Sequence, residues 1–359
     1  MTVDPARRLT PVVRLAPAKL NLTLAVVGRR PDGYHGLHSV MAPLALADRL
    51  SLTPDPSSDG RDTLRVEGFE AGPIADNLVL RALDVTRRAV RPHVASPPPG
   101  LAARLDKRIP VAAGLAGGSS DAAAAIDGAL EAWSAADVLP PAGRVALAAS
   151  IGSDVPFFLA GRSALVEGRG ERVTPLRGLR LAAGEHPPGV LLVTPAVAAH
   201  TAAVFAAWSG GAMGQPGVAA RSSEHFAAEW GSGMSARQLI ERAGVLAAAN
   251  DLLPAAAAVV DGLVALRRAL TRLLARPIGL SGSGPTLWAL YPSLDDADLA
   301  AASVRAAVGS GFIVAPGPTE PFVTATTFLI TPDDADGTND PGTDPATIDL
   351  ATTAQETPP

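Results

Sequence analysis

A glycine-rich loop ahead of an alanine-rich run constrains this chain more than any other feature. The loop covers residues 110–122 and reads Pro-Val-Ala-Ala-Gly-Leu-Ala-Gly-Gly-Ser-Ser-Asp-Ala. Its three glycines allow the backbone to curl closely around a ligand. We predict that Ser119 or Ser120 caps a helix that continues to about Trp133. The free N–H groups and the dipole at the start of such a helix favour an anion, most naturally a phosphate group.

The loop differs from the common nucleotide-binding loops. It does not end in the Gly-Lys-Ser/Thr of a Walker A loop, and it lacks the spacing and following acidic residue of a dinucleotide fingerprint. The protein-kinase signatures are also missing. A phosphate site is favoured over a purely structural glycine turn on these grounds, and both interpretations stay open at this point.

Charge and cysteine content exclude several classes of function. The 359 residues carry a net charge of −5, and seven of the acidic residues lie in residues 331–359, which contain no Lys or Arg. Removing those seven negative charges leaves the rest of the chain at +2, so a basic nucleic-acid surface is not indicated. The absence of cysteine excludes disulfides, thiolate nucleophiles and cysteine-bound zinc. We therefore predict no nucleic-acid partner.

Lysine is rare in the chain. Only Lys19 and Lys107 occur among the 30 basic residues. Where arginine replaces surface lysines so widely, a retained lysine points to a role that a compact ammonium fills and a planar guanidinium does not. Chance survival is the alternative interpretation.

Strand and helix patterns alternate along the chain and predict an α+β protein of two domains. The stretch 180–189 is rich in glycine and proline and is the predicted boundary. We predict a flexible N-terminus over residues 1–10, an N-terminal nucleotide-binding α/β domain over 11–183, a C-terminal α+β sandwich domain over 184–330, and a disordered acidic tail over 331–359.

Local patterns place the main elements. Apolar residues alternate with polar ones from Lys19 to Val26, which predicts a strand with Lys19 and Asn21 side by side on its polar face. Asn77 offers the start of a helix over residues 78–90. Further helices are predicted from Pro141 to Gly152, near 199–208, over 236–249 and over 255–274, and strands over 190–194, 286–291 and 322–330.

Targeting and membrane signals are not found. Lys19 and Asn21 interrupt the first apolar run, and no small-residue cleavage site follows it. Residues 187–220 contain no formally charged residue, but alanine, glycine and proline make them unlike a continuous membrane helix. We predict a soluble, cytoplasmic protein with no membrane partner.

The glycine-rich loop resembles the phosphate loop of the galactokinase, homoserine kinase, mevalonate kinase and phosphomevalonate kinase (GHMP) superfamily. Other stretches are similar, in order, to the 4-diphosphocytidyl-2-C-methyl-D-erythritol kinase family within it, and the resemblance extends from about residue 14 to residue 291. These stretches are Ala-Pro-Ala-Lys-Leu-Asn-Leu (16–22), Arg-Pro-Asp-Gly-Tyr-His (30–35), Ile-Gly-Ser-Asp-Val-Pro-Phe-Phe (151–158), Ala-Asn-Asp-Leu-Leu-Pro (249–254) and Leu-Ser-Gly-Ser-Gly-Pro-Thr (280–286).

The resemblance implies a two-domain GHMP-kinase-like fold and an ATP-dependent kinase. Its acceptor would be a small-molecule cytidine diphosphate, phosphorylated on the 2-hydroxyl in the non-mevalonate route to isoprenoid precursors. ATP would be the phosphoryl donor with Mg²⁺, for which no protein ligands can be assigned. We expect a monomer or weak homodimer. The alternatives are another GHMP kinase of the homoserine or mevalonate type, and a non-catalytic nucleotide-binding scaffold.

Three residues are the predicted catalytic group. Phosphoryl transfer needs alignment, charge stabilisation and an acceptor for the hydroxyl proton. Asp154 lies beside Gly152 in an otherwise apolar stretch and is the candidate base. Lys19 would supply the opposite charge and steady the phosphoryl group, and Asn21 would orient the acceptor or Asp154. The alternative is that Asp154 caps a turn and Lys19 reaches solvent.

The remaining candidates follow from the resemblance. It implies that Tyr34 stacks on the cytosine, that His35 hydrogen-bonds the edge of the base, and that Phe205 supplies a second ring, with core packing as the alternative for Phe205. Gly282 and Gly284 would let the C-terminal glycine loop approach the acceptor. The predicted ATP-binding residues are Pro110, Val111, Ala112, Ala113, Gly114, Leu115, Ala116, Gly117, Gly118, Ser119 and Ser120, together with Asn77 and Lys107, for which a helix cap and a structural role are the alternatives.

Overall fold

The computed structural model describes residues 10–31, 33–182, 184–208 and 218–330. The predicted flexible N-terminus, apart from Thr10, and the predicted acidic tail lie outside the described residues. Among the described residues, no helix is long and apolar enough to cross a membrane.

A seven-stranded sheet forms the first half of the molecule. Its central strand, β3, is 21 residues long and pairs with four other strands. All pairings are antiparallel except that of β4 with β5. The strands are β1 (Val12–Asn21), β2 (Ala25–Arg29), β3 (His35–Asp55), β4 (Thr63–Gly68), β5 (Gly100–Lys107), β6 (Ala164–Gly168) and β7 (Arg172–Pro175).

The strand predicted from Lys19 to Val26 is divided between β1 and β2, and its polar face is not exposed. Residues 19–26 are all buried, including Lys19, Asn21 and Thr23. The polar side chains are covered because they contact the glycine-rich loop and β3 through hydrogen bonds, whereas Leu20 and Leu22 pack in the core. Alternation therefore predicted the two faces of the strand but not the burial of both.

Four helices accompany this sheet: α1 (Leu78–Val90), α2 (Gly117–Ala132), α3 (Pro141–Ile151) and α4 (Val155–Ala160). Asn77 caps α1 by accepting a hydrogen bond from the N–H of Val79, and Gly152 follows the end of α3, as predicted. The small side chains of α2 allow it to lie close to the sheet, and its alanines share a core with Leu50, Leu52 and Leu105.

The predicted serine cap of α2 is wrong. The helix begins at Gly117, and the residue before it, Ala116, has a left-handed conformation with φ +55°. The Ser120 N–H donates to the Ala116 carbonyl, so both serines lie within the first turn. A left-handed turn before the helix is set by the tertiary contacts of the loop, and the serine-based capping rule does not anticipate it.

A four-stranded antiparallel sheet follows, with strand order β11-β8-β10-β9. The predicted helix over 255–274 is divided at Gly262, where φ is +80°, and the one over 236–249 is divided at Arg242. The elements are β8 (Gly189–Thr194), α5 (Thr201–Ala207), α6 (Val218–Gly231), α7 (Ala236–Glu241), α8 (Ala243–Leu246), α9 (Leu253–Val259), α10 (Leu263–Leu274), β9 (Gly279–Leu280), β10 (Leu287–Tyr291), α11 (Leu294–Gly309) and β11 (Phe322–Thr327).

The two sheets share one hydrophobic core. Leu20 and Leu44 of the first sheet cluster with Leu192 and Trp288 of the second and with Trp230 of α6. Strands β1–β7 precede residue 184 and β8–β11 follow it, so the α+β architecture is confirmed. The division into domains at that residue stays a prediction, because the shared core extends across it.

Candidate active site

A cavity of about 1310 Å³ runs between the glycine-rich loop and a cluster of aromatic rings, along the ends of β1 and β2. Lys19, Asn21 and Asp154 lie in its lining. Its volume exceeds that of a typical small-ligand pocket, so it has room for two substrates end to end. The structure thus brings the three predicted catalytic residues into one cleft.

The glycine-rich loop is held in a tight backbone path. Ala112, Gly114 and Ala116 all have positive φ angles, between +53° and +77°. A Cβ on Gly114 would lie 2.2 Å from the Ser281 carbonyl oxygen, so only glycine fits there. The path ends at α2, where the N–H groups of Gly117, Gly118 and Ser119 precede the first helical hydrogen bond and lie at the cleft, an arrangement suited to an anion.

Lys19 joins this loop to the first strand. Its Nζ donates to the Gly114 carbonyl oxygen at 2.9 Å and to Asn21 Oδ1, and it lies 4.0 Å from Asp154 Oδ2. Burial lowers the pKa of Lys19, and the charge of Asp154 partly opposes that effect. The structure thus brings Lys19 close to Asp154, and Lys19 is buried instead of reaching solvent.

Asp154 directly precedes α4, and Pro156 occupies the first turn of that helix. Asp154 occupies the N-cap position of α4, but its carboxylate makes no capping hydrogen bond. Its side chain is 31% exposed and lines the cleft beside Ser119 and Ser153. A carboxylate that is open to the cleft and close to one buried ammonium is suited to accept a proton from a bound hydroxyl.

Lys107 precedes the glycine-rich loop, and its environment differs from that of Lys19. Its Nζ donates to Asp121 Oδ2 at 2.8 Å and to Asp48 Oδ2, and all three side chains are buried. Burial alone would lower the pKa of Lys107, but Asp121 and Asp48 together raise it. Asp48 Oδ1 also accepts the N–H groups of Arg108 and Ile109, which lead into the loop. The structural role that was the alternative for Lys107 is therefore realised, although the residue also lines the cleft.

Aromatic rings line the other end of the cleft. The His35 ring stacks on the Phe205 ring at 5.2 Å and 20°, and the Trp208 ring meets His35 edge-on at 5.2 Å. Tyr34 is 55% exposed, and the guanidinium of Arg169 lies 5.4 Å from the centre of its ring. Trp208 was not predicted, although its position three residues after Phe205 places it near that ring at the helix end.

The C-terminal glycine loop, residues 280–286, lies against Lys19 and Asn21. A Cβ on Gly282 would lie 3.2 Å from both Lys19 Nζ and Asn21 Oδ1, so the loop backbone approaches these two residues closely. Asn250 holds this loop, because its Nδ2 donates to the carbonyls of Leu280 and Gly282, each at 2.9 Å. Asn250 lies in the stretch 249–254, which resembles the family, but no local pattern predicted its role in holding this loop.

Four of the predicted contact residues have other surroundings or a second role. Leu115 is a core residue, and its carbonyl oxygen accepts a hydrogen bond from the backbone N–H of Lys19. Ser120 is buried within α2, and Gly284 packs against the backbone of Gly114, so none of these three is part of the cleft lining. Asn77 both caps α1 and lines the cleft.

Comparison with known proteins agrees with this geometry. Residues 77–162 match the sequence model of the GHMP kinases N terminal domain. A 4-diphosphocytidyl-2-C-methyl-D-erythritol kinase of Pelotomaculum thermopropionicum is 37% identical over 295 residues, which are 82% of this chain and 94% of that protein. The protein of the same name from Methylorubrum extorquens strain PA1 is 40% identical over 301 residues, 81% of this chain and 94% of that protein.

Solved structures give the same result. A crystal structure of 4-(cytidine 5'-diphospho)-2C-methyl-D-erythritol kinase is 31% identical, with a TM-score of 0.63 over 88% of this chain and 99% of that one. Mevalonate kinase of L. major has a TM-score of 0.64 at 16% identity over 92% and 99% of the two chains, which shows a common fold alone. The resemblance and fold predicted from the sequence are confirmed: the chain belongs to the 4-diphosphocytidyl-2-C-methyl-D-erythritol kinase family of GHMP kinases.

Proposed function

We propose that this protein transfers the γ-phosphoryl group of ATP to the 2-hydroxyl of 4-diphosphocytidyl-2-C-methyl-D-erythritol, giving the 2-phosphate and ADP in the non-mevalonate route to isoprenoid precursors. One observation carries the proposal. Lys19 contacts the carbonyl of Gly114 in the phosphate loop and lies 4.0 Å from Asp154 in a cleft that ends in aromatic rings. A phosphate site, a cation, a base and a surface for a nucleobase are thus arranged along one cavity.

ATP binds in this proposal with its phosphates on the glycine-rich loop and at the start of α2. The first-turn N–H groups donate to the phosphate oxygens, and the helix dipole stabilises their negative charge. Asn77, which lines the same end of the cleft, is placed to meet the base or ribose of the nucleotide. Asp48 and Lys107 act indirectly, by holding the chain that enters the loop.

The chemical step uses Asp154 and Lys19. The acceptor hydroxyl oxygen attacks the γ-phosphorus, its proton passes to the Asp154 carboxylate, and the bond to the β-phosphate oxygen breaks to release ADP. Lys19 has three N–H groups, two of which donate to Gly114 and Asn21. The third is available to a phosphoryl oxygen between the loop and Asp154, where negative charge must be stabilised.

Magnesium fits the phosphate end of this cleft. The described residues contain no group of three metal-ligating side chains, so the protein does not provide a closed cage. Magnesium commonly keeps water and nucleotide phosphates as most of its ligands and takes few from the protein. The Ser119 hydroxyl, which lies in this part of the lining, would supply one oxygen ligand. Bound there, the ion would neutralise phosphate charge.

The aromatic end distinguishes this acceptor from those of related kinases. A cytosine base has a flat face that rings bind by stacking and edges that hydrogen-bond. Tyr34 and His35 are placed to supply these contacts, and Phe205 and Trp208 support the His35 ring. Homoserine and mevalonate lack a nucleobase, so an acceptor of that type would make no use of the aromatic rings. A scaffold without catalysis has no need for a buried Lys19 beside a carboxylate, Asp154, that is open to the cleft.

One chain supplies the whole cleft lining that the structure describes. We therefore propose that a monomer or weak homodimer is active. Both co-substrates are soluble nucleotides, and we place the reaction in the cytoplasm.

The test is an acceptor panel. Purified protein is incubated with ATP and Mg²⁺ and with the cytidine diphosphate acceptor, homoserine or mevalonate, and ADP release and ³¹P spectra are followed. We expect turnover with the first acceptor alone, with a new phosphomonoester signal. Matched measurements on Tyr34→Ala should show a raised KM for the acceptor and an unchanged KM for ATP. Equal rates with homoserine or mevalonate would refute the proposed acceptor.

A further inference from the structure

A line of buried hydrogen-bonded groups runs from Lys19 through Asn21 to Ser39. Asn21 Nδ2 donates to Ser39 Oγ at 2.8 Å, and Ser39 Oγ donates to the Thr23 carbonyl oxygen. Ser39 is on β3 and is completely buried. It does not touch Lys19, the phosphate loop or Asp154, so no part of the proposed mechanism uses it directly.

The direction of each hydrogen bond in this line is determined by its partners. A carbonyl oxygen only accepts, so the single proton of the Ser39 hydroxyl is directed to Thr23. Toward Asn21, Ser39 can then only accept, and it must meet the NH₂ group of the carboxamide. Lys19 Nζ at the other side of the amide only donates, and it must meet the oxygen. The two requirements agree on one orientation of Asn21.

That orientation determines which protons Lys19 can offer. With Oδ1 facing the ammonium and the Gly114 carbonyl as the second acceptor, one N–H of Lys19 remains for the cleft. A reversed amide would place its own N–H groups against the ammonium. Donor would then face donor, the cation would lose an acceptor, and Nζ would be displaced from its present position between the loop and Asp154.

We propose that Ser39 is a positioning residue that locks the Asn21 amide with its oxygen toward Lys19, and so aims the ammonium of Lys19 at the transferred phosphoryl group. The proposal rests on the proposed function for its catalytic consequence. Its geometric part, the effect of Ser39 on Lys19, is measurable without any substrate.

The chain offers a matched control in Ser223 of α6. Its hydroxyl is equally buried and lies 2.6 Å from Thr23 Oγ1 and 2.9 Å from His38 Nδ1. It makes no hydrogen bond to Asn21. Ser223→Ala therefore removes a buried hydroxyl from the same region without altering the amide. Ser39→Thr is the conservative variant, since it keeps the hydroxyl at the amide.

The kinetic experiment separates positioning from folding. For Ser39→Ala we expect kcat to fall about tenfold, which corresponds to the free energy of about one hydrogen bond, while KM for ATP changes less than about twofold. Ser39→Thr should retain most of the rate, and Ser223→Ala should stay within about twofold of the wild type. If the wild type does not phosphorylate the acceptor, the proposed function fails, and the measurement below still tests Ser39.

The direct readout is the titration of Lys19. With only two lysines in the chain, ¹³C-labelled lysine gives two side-chain Cε signals, which Lys19→Arg assigns. Ser39→Ala should move the Lys19 titration to lower pH and leave that of Lys107 in place, because the cation loses an oxygen acceptor. If Ser39→Ala does not fold, Ser39→Cys, a weaker donor and acceptor of similar size, is expected to shift it in the same direction. An unmoved Lys19 signal would overturn the proposal, whether or not kcat falls.

Discussion

The two lysines of the chain occupy opposite kinds of site within one cleft. Lys19 has two neutral oxygen partners and a carboxylate 4.0 Å away, and burial lowers its pKa. Lys107 is in contact with two buried carboxylates, which raise its pKa. The sequence predicted phosphate chemistry for both. Their surroundings differ, because a lysine whose charge is balanced by two carboxylates has little positive charge available to bind a nucleotide phosphate.

The difference leads us to predict a catalytic role for Lys19 and a structural role for Lys107. An ammonium held by carbonyl oxygens keeps an unused N–H and an incompletely balanced charge, so a phosphoryl group in the cleft gains from its presence. An ammonium enclosed by Asp48 and Asp121 belongs to a buried ionic network whose removal leaves uncompensated charge. We therefore expect variants of Lys19 to lose rate and variants of Lys107 to lose stability.

The largest effect is expected at Asp154, the only charged partner of Lys19 within 4.0 Å among the described residues. Asp154→Asn keeps the shape but cannot take the proton of the acceptor, so kcat should fall about 10²- to 10⁴-fold. ATP affinity, measured by calorimetry, should stay nearly unchanged because the phosphate loop is intact. Normal turnover would show that Asp154 is not the base.

Lys107→Met should have the next largest effect, on stability. The substitution leaves Asp48 and Asp121 buried without their cation, and breaking such a network costs about 3–5 kcal/mol. Urea unfolding near pH 7 measures this loss of unfolding free energy. Lys19→Met is the control, since its closest partners are neutral oxygens and its loss of stability should be clearly smaller. Equal losses in the two variants would abolish the distinction between the lysines.

Lys19→Arg should lower kcat about 100-fold with little loss of stability. A guanidinium keeps the charge but is wider, and the loop backbone is so close that a Cβ added at Gly282 would lie 3.2 Å from Nζ. Single-turnover rates with saturating ATP measure the chemical step. Lys107→Arg provides the comparison, and its single-turnover rate should stay within a few-fold of the wild type. A Lys19→Arg enzyme with the wild-type rate would mean that this lysine was retained by chance.

The smallest expected effect concerns pH. Burial raises the pKa of Asp121 to about 7, partly opposed by Lys107 and reinforced by Asp48. Because this value exceeds the ordinary 3.8, the group favours folding at low pH, and that contribution is lost as pH rises through about 7. Asp121→Asn removes this dependence. Its unfolding free energy relative to the wild type should therefore rise by at least about 1 kcal/mol between about pH 5.5 and 8. A pH-independent difference would contradict the raised pKa.

Local signals in the sequence predicted much of this arrangement and missed the rest for physical reasons. Helix α1 starts and ends as predicted, because Asn77 is a cap and the apolar residues repeat with helical period. Helix α2 starts earlier than predicted, because its first turn is set by the contacts of Gly114 with Ser281, far along the chain. The three residues predicted to be catalytic lie in motifs, and the structure brings them together in the cleft.

The residues that were missed have partners far along the chain. Asp48 lies within a 21-residue strand, and its partner Lys107 is 59 positions away, so no spacing rule connects them. Asn250 acts on the carbonyls of a loop 30 residues later. Such roles arise from tertiary packing, which brings a side chain to a backbone group that the local sequence does not specify.

The most direct test of the division between the lysines is the titration of both in the wild-type protein. With ¹³C-labelled lysine, the signal that Lys19→Arg removes should titrate below the ordinary value of 10.5, and the other should titrate above it. Addition of an unreactive ATP analogue with Mg²⁺ should shift the Lys19 signal more than that of Lys107. Two lysines that titrate together, or a Lys107 signal that responds more strongly to the nucleotide, would contradict this account.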